Sequence, residues 1–351
     1  MKGNRLVKGL LLLVIAVVLL AACSKKQVEE EERPTPKPPV QQEEEEEEVL
    51  PYQAPFTGIR YEEEQQMRPV LATINNDPKA RPQSGLSEAD IIYEFITEGN
   101  MTRYVALFQS ALPDEIGPIR SARDTFVEMA INMDAFYVAH GYSPDALTLL
   151  RSGRVDHING MQYDGSLFKR SADRRAPHNS YISGDSIREG MAIVQANEEM
   201  VKFSPYTFYD SIEDVELVTK VTDVTVRNGA DPSFTSDYRY NVDTGVFEQS
   251  VSGEKSIDKA TEAPMEVANV LVIETNYQTI DADGRQKIDI LSGGKGLLFQ
   301  AGRSTEVEWV NRQGFIVPIL DGKVAPFVPG KTWVHVIRNQ PGLETNVSQL
   351  P

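Results

Sequence analysis

Cysteine is almost absent from this sequence, since Cys23 is the only one among 351 residues. If Cys23 is modified, no thiol remains for a disulfide, a thiolate metal site or a cysteine nucleophile. A fold without disulfides has to be stabilised by burial of apolar side chains. The chain is long enough to do this, and its length suggests two domains.

An excess of positive charge is also absent. The chain has 35 Lys and Arg residues against 52 Asp and Glu residues, which gives a formal net charge of −17. This charge argues against binding to nucleic acid or to an anionic membrane surface. The four histidines form no His-Glu-x-x-His pair, so no metal site is predicted. Ala325 replaces the leading glycine of a P-loop before Gly330-Lys-Thr332, so no nucleotide or other cofactor is predicted either.

One long apolar run is present, and it lies near the start of the chain. It extends from Leu10 to Ala22, follows Lys2, Arg5 and Lys8, and ends at Cys23. This pattern is typical of a secretory signal, and its Leu-Ala-Ala-Cys ending resembles a bacterial lipoprotein signal. In that class the chain is cut before the cysteine, whose thiol then carries a diacylglyceryl group. An uncleaved anchor is the alternative, but the run is short of the ~20 residues that a membrane span needs.

The sequence therefore predicts a signal peptide at residues 1–22 and a lipid anchor on Cys23, with the protein on the extracytoplasmic face of the cell membrane. Residues 23–49 contain the runs Glu29–Glu32 and Glu43–Glu48, with a Pro-rich stretch between them. Such a composition is typical of a disordered, extended tether. The tether either lets the folded part reach into the cell wall or only keeps the chain soluble.

The remaining chain divides into two parts by its hydrophobic pattern. Strands and helices are mixed in residues 50–212, which predicts an α/β sheet domain. Short strands with Gly, Asn and Asp turns in residues 213–351 predict a mostly antiparallel β domain. The predicted fold class is thus α+β. The clearest elements are strands at 69–74, 89–96, 103–109, 135–139, 270–273 and 332–337, and helices at 121–133, 145–150 and 187–198.

The segment Ile116–Asp124 is the strongest candidate for a binding site. Ser121 stands where a helix N-cap is expected, and Arg120 and Arg123 lie beside it. Free backbone N–H groups, the helix dipole and two guanidinium groups together favour a carboxylate or phosphate ligand. The alternative is a structural ion pair of these arginines with Asp124 or with a distant glutamate.

Further polar residues are expected near the same place. Asn75 and Asn76 directly follow the first strand, and His140 follows the strand at 135–139. Ligands of sheets with helical crossovers gather outside the carboxyl ends of strands. The loop 174–180 adds Arg175 and His178 as ligand donors. His140 is either a general base or a hydrogen-bonded structural residue, and the loop is either a binding loop or a solvated turn.

Four segments carry a family resemblance, at residues 68–76 (RPVLATINN), 80–94 (ARPQSGLSEADIIYE), 116–123 (IGPIRSAR) and 328–334 (VPGKTWV). They look like the YerB family of Gram-positive lipoproteins. The resemblance covers essentially the whole region after the tether and agrees with the lipoprotein signal. It implies an amino-terminal and a carboxy-terminal domain of unknown function, and it implies no catalytic residue.

Three functions follow from location and composition. We favour a non-enzymatic envelope factor that binds a wall component such as peptidoglycan, or a wall-synthesis protein, through the Arg-rich face. The second is an extracytoplasmic hydrolase of wall polymer, with His140 as base and Arg120 and Arg123 as the oxyanion clamp. The third is a solute-binding lipoprotein, which fits the anchor but not the β-rich second part.

Replacement of Cys23 tests the predicted anchor. A serine hydroxyl cannot form the thioether, so Cys23→Ser is expected to abolish incorporation of labelled palmitate in cells. Ser24→Ala, a change at the next residue, is the matched control and is expected to leave the label unchanged. Labelling of the Cys23→Ser chain would show that the lipid is attached elsewhere.

Overall fold

A computed structural model describes residues 50–200, 205–215 and 219–351. The predicted signal peptide, Cys23 and the tether lie outside these residues. The described helices are α1 (Asp124–Asn132), α2 (Pro144–Leu150), α3 (Gly160–Tyr163), α4 (Gly184–Ile193) and α5 (Leu343–Asn346). None of them is long and apolar enough to cross a membrane.

The strands, in chain order, are β1 (Tyr52–Gln53), β2 (Arg60–Tyr61), β3 (Val70–Asn75), β4 (Ile91–Glu98), β5 (Met101–Phe108), β6 (Phe136–Ala139), β7 (His157–Asn159), β8 (Phe168–Arg170), β9 (Ser180–Ile182), β10 (Thr219–Lys220), β11 (Asp223–Arg227), β12 (Thr235–Asn241), β13 (Val246–Val251), β14 (Glu254–Lys255), β15 (Glu266–Val267), β16 (Asn269–Thr275), β17 (Tyr277–Thr279), β18 (Gln286–Ile288), β19 (Gly294–Gln300), β20 (Arg303–Arg312), β21 (Phe315–Leu320), β22 (Lys323–Val324), β23 (Thr332–Arg338) and β24 (Val347–Leu350).

One mixed sheet of twelve strands dominates the structure. Its order is β22-β21-β20-β19-β16-β23-β4-β5-β3-β6-β7, with β10 beside β20. Strand β23 is parallel to β16 on one side and to β4 on the other, so a late strand joins the two parts of the chain. The smaller sheets are β1-β2, β8-β9, β17-β18 and the six-stranded sheet β14-β13-β12-β11-β24, in which β15 pairs with β13.

The predicted α+β class is confirmed, with helices among the early strands and mostly antiparallel strands later. The described residues cluster as one compact unit, and the central sheet extends across the predicted boundary at 212/213. The division into two domains therefore stays a prediction.

Two helices have boundaries that differ by several residues from those predicted. Helix α1 starts at Asp124 rather than Ser121, and its N-cap Arg123 has an extended backbone without a side-chain cap. The reason is that the preceding residues are held in extended form, with Arg120 N–H donating to Thr73 and Ala122 N–H donating to Gly141. Helix α4 starts earlier than predicted, because the Ser183 hydroxyl caps it, and ends at Ile193.

The central sheet has an apolar core on each face. Along β23, Val334 and Val336 point to the face that α1 covers, together with Phe126. Trp333 and Ile337 point to the other face, which the six-stranded sheet covers. This alternation follows from the two-residue period of a strand, and it explains why β23 is apolar on both faces.

A buried polar layer lies between the central sheet and the six-stranded sheet. His335 Nε2 is 2.8 Å from the Tyr238 hydroxyl, which accepts a hydrogen bond of 3.0 Å from Gln249 Nε2. His335 Nδ1 is 3.3 Å from the Glu94 carboxyl group. Burial raises the pKa of Glu94 to about 7 and lowers the pKa of His335 to about 3, so the imidazole is neutral at pH 7.

Separate expression of the two predicted parts tests whether they fold alone. Without residues 213–351, strand β4 loses its partner β23 and leaves an apolar edge exposed. We expect the fragment 50–212 to aggregate and to show no cooperative thermal unfolding, and co-refolding with 213–351 to restore it. The intact fragment 50–351 is the control. Cooperative unfolding of 50–212 alone would establish an independent domain.

Candidate functional site

The carboxyl ends of three parallel strands meet at one edge of the central sheet. Strand β6 is parallel to β3 and to β7, and these strands end at Ala139, Asn75 and Asn159. Arg120 lies between β3 and β6, because its N–H donates to the Thr73 carbonyl (2.8 Å) and its carbonyl accepts from His140 N–H (2.9 Å).

The loop 174–180 packs onto these strand ends. His178 Nδ1 is 2.9 Å from Asn75 Nδ2, and His140 Nδ1 is 2.7 Å from the Ser180 hydroxyl. The structure therefore brings together Asn75, Arg120, His140 and His178, which sequence reasoning could only place near one another by analogy. Arg175 does not join them, since it is exposed and contributes only its carbonyl, which accepts from His178 N–H.

His140 is held by partners on both ring nitrogens. Its Nε2 is 2.9 Å from Arg170, which can only donate, so Nε2 accepts and Nδ1–H donates to Ser180. Asp164 binds the same Arg170 guanidinium at 2.9 Å. Burial lowers the pKa of His140, and Arg170 lowers it further, so the neutral ring is favoured. Gly160 is required beside the ring, because an added Cβ would lie 2.1 Å from Nδ1.

Arg120 and His178 supply the hydrogen-bond donors of the site. Asn75 Oδ1 accepts from Asp77 N–H at 3.0 Å, which leaves the Asn75 amide group to donate to His178 Nδ1. The His178 Nε2–H is then a donor. The Arg120 guanidinium is half-buried and has no hydrogen-bond acceptor among the described residues. Burial lowers the pKa of Arg120 and the pKa of His178. The charge of Asp77 acts in the opposite direction and raises the pKa of each.

Arg123 does not share this site with Arg120, contrary to expectation. It forms an ion pair with Glu98, which also binds Arg103 at 3.0 Å. The Arg123 and Glu98 side chains are only 11% and 15% exposed. Of the two alternatives for this segment, the structural ion pair with a distant glutamate therefore applies to Arg123. The Glu98 carboxylate compensates the positive charge of Arg123 beside the start of α1.

Two further residues predicted for the site, Asn76 and Ser121, form hydrogen bonds within the fold. Asn76 is fully buried, donates to Thr102 (2.7 Å) and Glu94 (3.2 Å), and accepts from Arg81 (2.9 Å). The Ser121 hydroxyl donates to the His140 carbonyl at 3.3 Å and does not cap α1. Within the described residues, no three His, Cys, Asp or Glu side chains are grouped so that they could hold a metal ion.

Sequence reasoning missed Glu98, Arg170 and Ser180. Glu98 directly precedes Gly99, a residue type common in turns, and nothing in its spacing links it to Arg123. Arg170 and Ser180 contact His140 from β8 and β9, two short strands without a periodic pattern. Their roles come from tertiary contacts alone.

The folded part matches both halves of one protein family. Residues 56–197 match the family described as "Protein of unknown function (DUF3048) N-terminal domain", and residues 224–334 match its C-terminal domain. This chain therefore belongs to that family.

Comparisons with individual proteins lead to the same family. YerB of Bacillus subtilis (strain 168), named as a lipoprotein, is 42% identical over 288 residues, which cover 81% of this chain and 86% of YerB. The crystal structure of YerB protein from Bacillus subtilis matches with a TM-score of 0.78 at 40% identity, over 85% of this chain and 99% of that chain. These matches confirm the family resemblance, and they support a lipoprotein with a membrane lipid anchor.

Glu98→Gln tests the buried ion pairs around the site. The change leaves Arg103 and Arg123 without a compensating charge, so a loss of about 3–5 kcal/mol in unfolding free energy is expected. Urea denaturation measures it. Asp185→Asn removes an exposed carboxylate paired with Arg188, and should cost less than about 1 kcal/mol. Equal effects of the two changes would contradict a structural role for Glu98.

Proposed function

We propose that this protein is a membrane-anchored, extracytoplasmic binding protein that recognises an anionic group of a cell-envelope polymer. The ligand group is a carboxylate or phosphate, and Arg120 and His178 bind it. The lipoprotein family supports the location, and peptidoglycan fragments are the first ligand class to test.

The main support for this proposal is the environment of the Arg120 guanidinium. This group is half-buried, lies beside two histidines that favour the neutral form, and contacts no acceptor in the described part of the chain. A desolvated cation without an acceptor is costly, and an oxyanion ligand would remove that cost. The chain as a whole has a net charge of −17, so a cluster of donors is unusual on its surface.

The donor geometry favours an oxyanion over a cation or an apolar group. Arginine offers a planar fork of N–H donors that matches carboxylate or phosphate oxygens. His178 adds one N–H donor. Among acidic groups, Asp77 has the largest effect on the pKa of Arg120 and of His178, and it raises both. Asp77 influences them electrostatically without a hydrogen bond to either, so the donors stay available.

A hydrolase that uses His140 as general base has less support. A base must offer a free lone pair to the proton that it removes. In His140 that lone pair, on Nε2, accepts from Arg170, and Nδ1 points to the buried Ser180. Binding without turnover is therefore the reading that we favour.

Calorimetry with purified muropeptides tests the anion site. Because the YerB crystal structure matches 85% of this chain, the fragment from Leu50 onward is a suitable form for the titration. Arg120→Ala is expected to weaken binding roughly 10-fold or more, the scale of one charged hydrogen bond. Arg188→Ala removes the same charge from an exposed position on α4 and is the control.

Unchanged affinity of Arg120→Ala would overturn this proposal. Absence of binding to every muropeptide, with intact folding by circular dichroism, would argue for a wall-synthesis protein as the partner. Crosslinking of the full-length chain in the membrane would then identify that partner.

A further inference from the structure

The chain that follows β3 and the loop 174–180 lie side by side next to the Arg120 site. Asn75 Nδ2 is 2.9 Å from His178 Nδ1, and Arg174 Nη2 donates to the Pro82 carbonyl at 2.6 Å. The two segments are thus joined at two places, and side chains from both border the same surface.

Three cations and one imidazole border this surface, and we call Lys79, Arg120, Arg174 and His178 the cationic cluster. Burial lowers the pKa of His178, and the charges of Arg120, Lys79 and Arg174 lower it further, so all three cations lie near its ring. Arg120 and Arg174 are half-buried and Lys79 is exposed, so a ligand in solution can reach each of them.

Neutral acceptors hold Arg174 in place without compensating its charge. Its guanidinium donates to the Tyr181 hydroxyl and to the Pro82 carbonyl, both at 2.6 Å. Asp173 precedes it in the chain but pairs with Lys259 at 3.0 Å. Arg174 therefore keeps its full charge, and three of its five N–H groups remain for a ligand.

Most of the positive charge of the cationic cluster is uncompensated. Within the described residues, no carboxylate forms an ion pair with Lys79, Arg120 or Arg174. Asp77 lies beside the cluster and raises the pKa of Arg120 and of His178 by its charge. One carboxylate cannot compensate three cations, so the cluster has room for more than one anionic group.

The charge of this cluster exceeds what a single ligand group supplies. A carboxylate or a phosphodiester carries one negative charge, and Arg120 with His178 suffices to bind it. Lys79 and Arg174 are then available for further charges of the same ligand. A linear polymer with a phosphodiester in every repeat unit offers such successive charges. The net charge of −17 repels a polyanion elsewhere on the chain, which favours contact at the cluster.

We infer that the cationic cluster binds consecutive phosphodiester groups of a linear polyol phosphate polymer. The inference rests on the proposed function for the Arg120 site and narrows the ligand from any carboxylate or phosphate to this polymer. Arg120 and His178 bind one phosphodiester, and Lys79 and Arg174 bind its neighbours. The exposed loop residues Ala176 and Pro177 are small and offer little apolar surface to a lipid bilayer, which favours the polymer over a membrane surface.

Calorimetry with two probes of the same chemistry tests this inference on the fragment from Leu50 onward. Glycerophosphoglycerol has one phosphodiester, and a glycerol phosphate oligomer has six. Contacts of Lys79 and Arg174 with further phosphodiesters are expected to raise the affinity for the oligomer roughly 100-fold, against about sixfold from the number of equivalent groups alone. No binding of the oligomer, or a gain of about sixfold or less, would overturn the inference.

Lys79→Ala isolates the contribution of the second phosphodiester. It is expected to weaken binding of the oligomer roughly 10-fold and to reduce the slope of log K against log salt concentration by about 0.7, with less than about a twofold effect on glycerophosphoglycerol. Lys323→Ala is the matched control, because Lys323 is exposed on β22, at the opposite edge of the central sheet from β7. Equal effects of the two changes on the oligomer would contradict the inference.

Vesicles of phosphatidylglycerol distinguish the polymer from a membrane surface, since they present the same phosphodiester group. We expect the protein to bind them more weakly per phosphate than the oligomer. Binding to the vesicles with the affinity of the oligomer or higher, lost in Lys79→Ala, would overturn the polymer and identify a membrane surface as the ligand.

The two proposals fail separately. Weaker binding of both probes in Arg120→Ala, with Lys79→Ala indistinguishable from Lys323→Ala, supports the anion site and overturns the polymer site. Weaker binding of the oligomer in Lys79→Ala, with no effect of Arg120→Ala on either probe, supports a polymer site at Lys79 and Arg174 and overturns the role of Arg120.

Discussion

The structure depends on the insertion of strand β23 into the middle of the central sheet. This strand hydrogen-bonds in parallel to β16 and to β4, which come from different parts of the chain. A buried parallel strand needs neighbours on both sides to satisfy its backbone groups. The early strands therefore cannot complete their sheet until residues near the carboxyl end are in place, and the family's two parts have a common core.

The same constraint determines where binding can occur. Strands β3 and β6 lie away from β23, and their ends form the Arg120 site from amino-terminal residues alone. A cavity between the central sheet and the six-stranded sheet, in contrast, is lined by both, with Trp333 from β23 and Gln249 from β13. Its shape therefore depends on how the two sheets pack, and the buried layer of Glu94, His335 and Tyr238 fixes that packing.

Local patterns in the sequence predicted much of the fold and only part of the site. Apolar runs marked β3, β6 and β23, and the spacing of Phe126 and Met129 marked α1, because these signals come from neighbouring residues. The position of β23 between β4 and β16 had no local signal. The same holds for Glu98 and Arg123, whose pairing depends on tertiary contact between a strand end and a helix start.

A comparison of three arginines explains why Arg120 differs from its neighbours. Burial lowers the pKa of Arg103 to about 9 and that of Arg123 to about 10, and one carboxylate, Glu98, compensates both. Burial lowers the pKa of Arg120 as well, but no carboxylate of the described chain contacts it. Because solvent still reaches Arg120, the fold tolerates it without an acceptor. Its partial desolvation strengthens any bond to an incoming oxyanion, which is the balance that a binding residue requires.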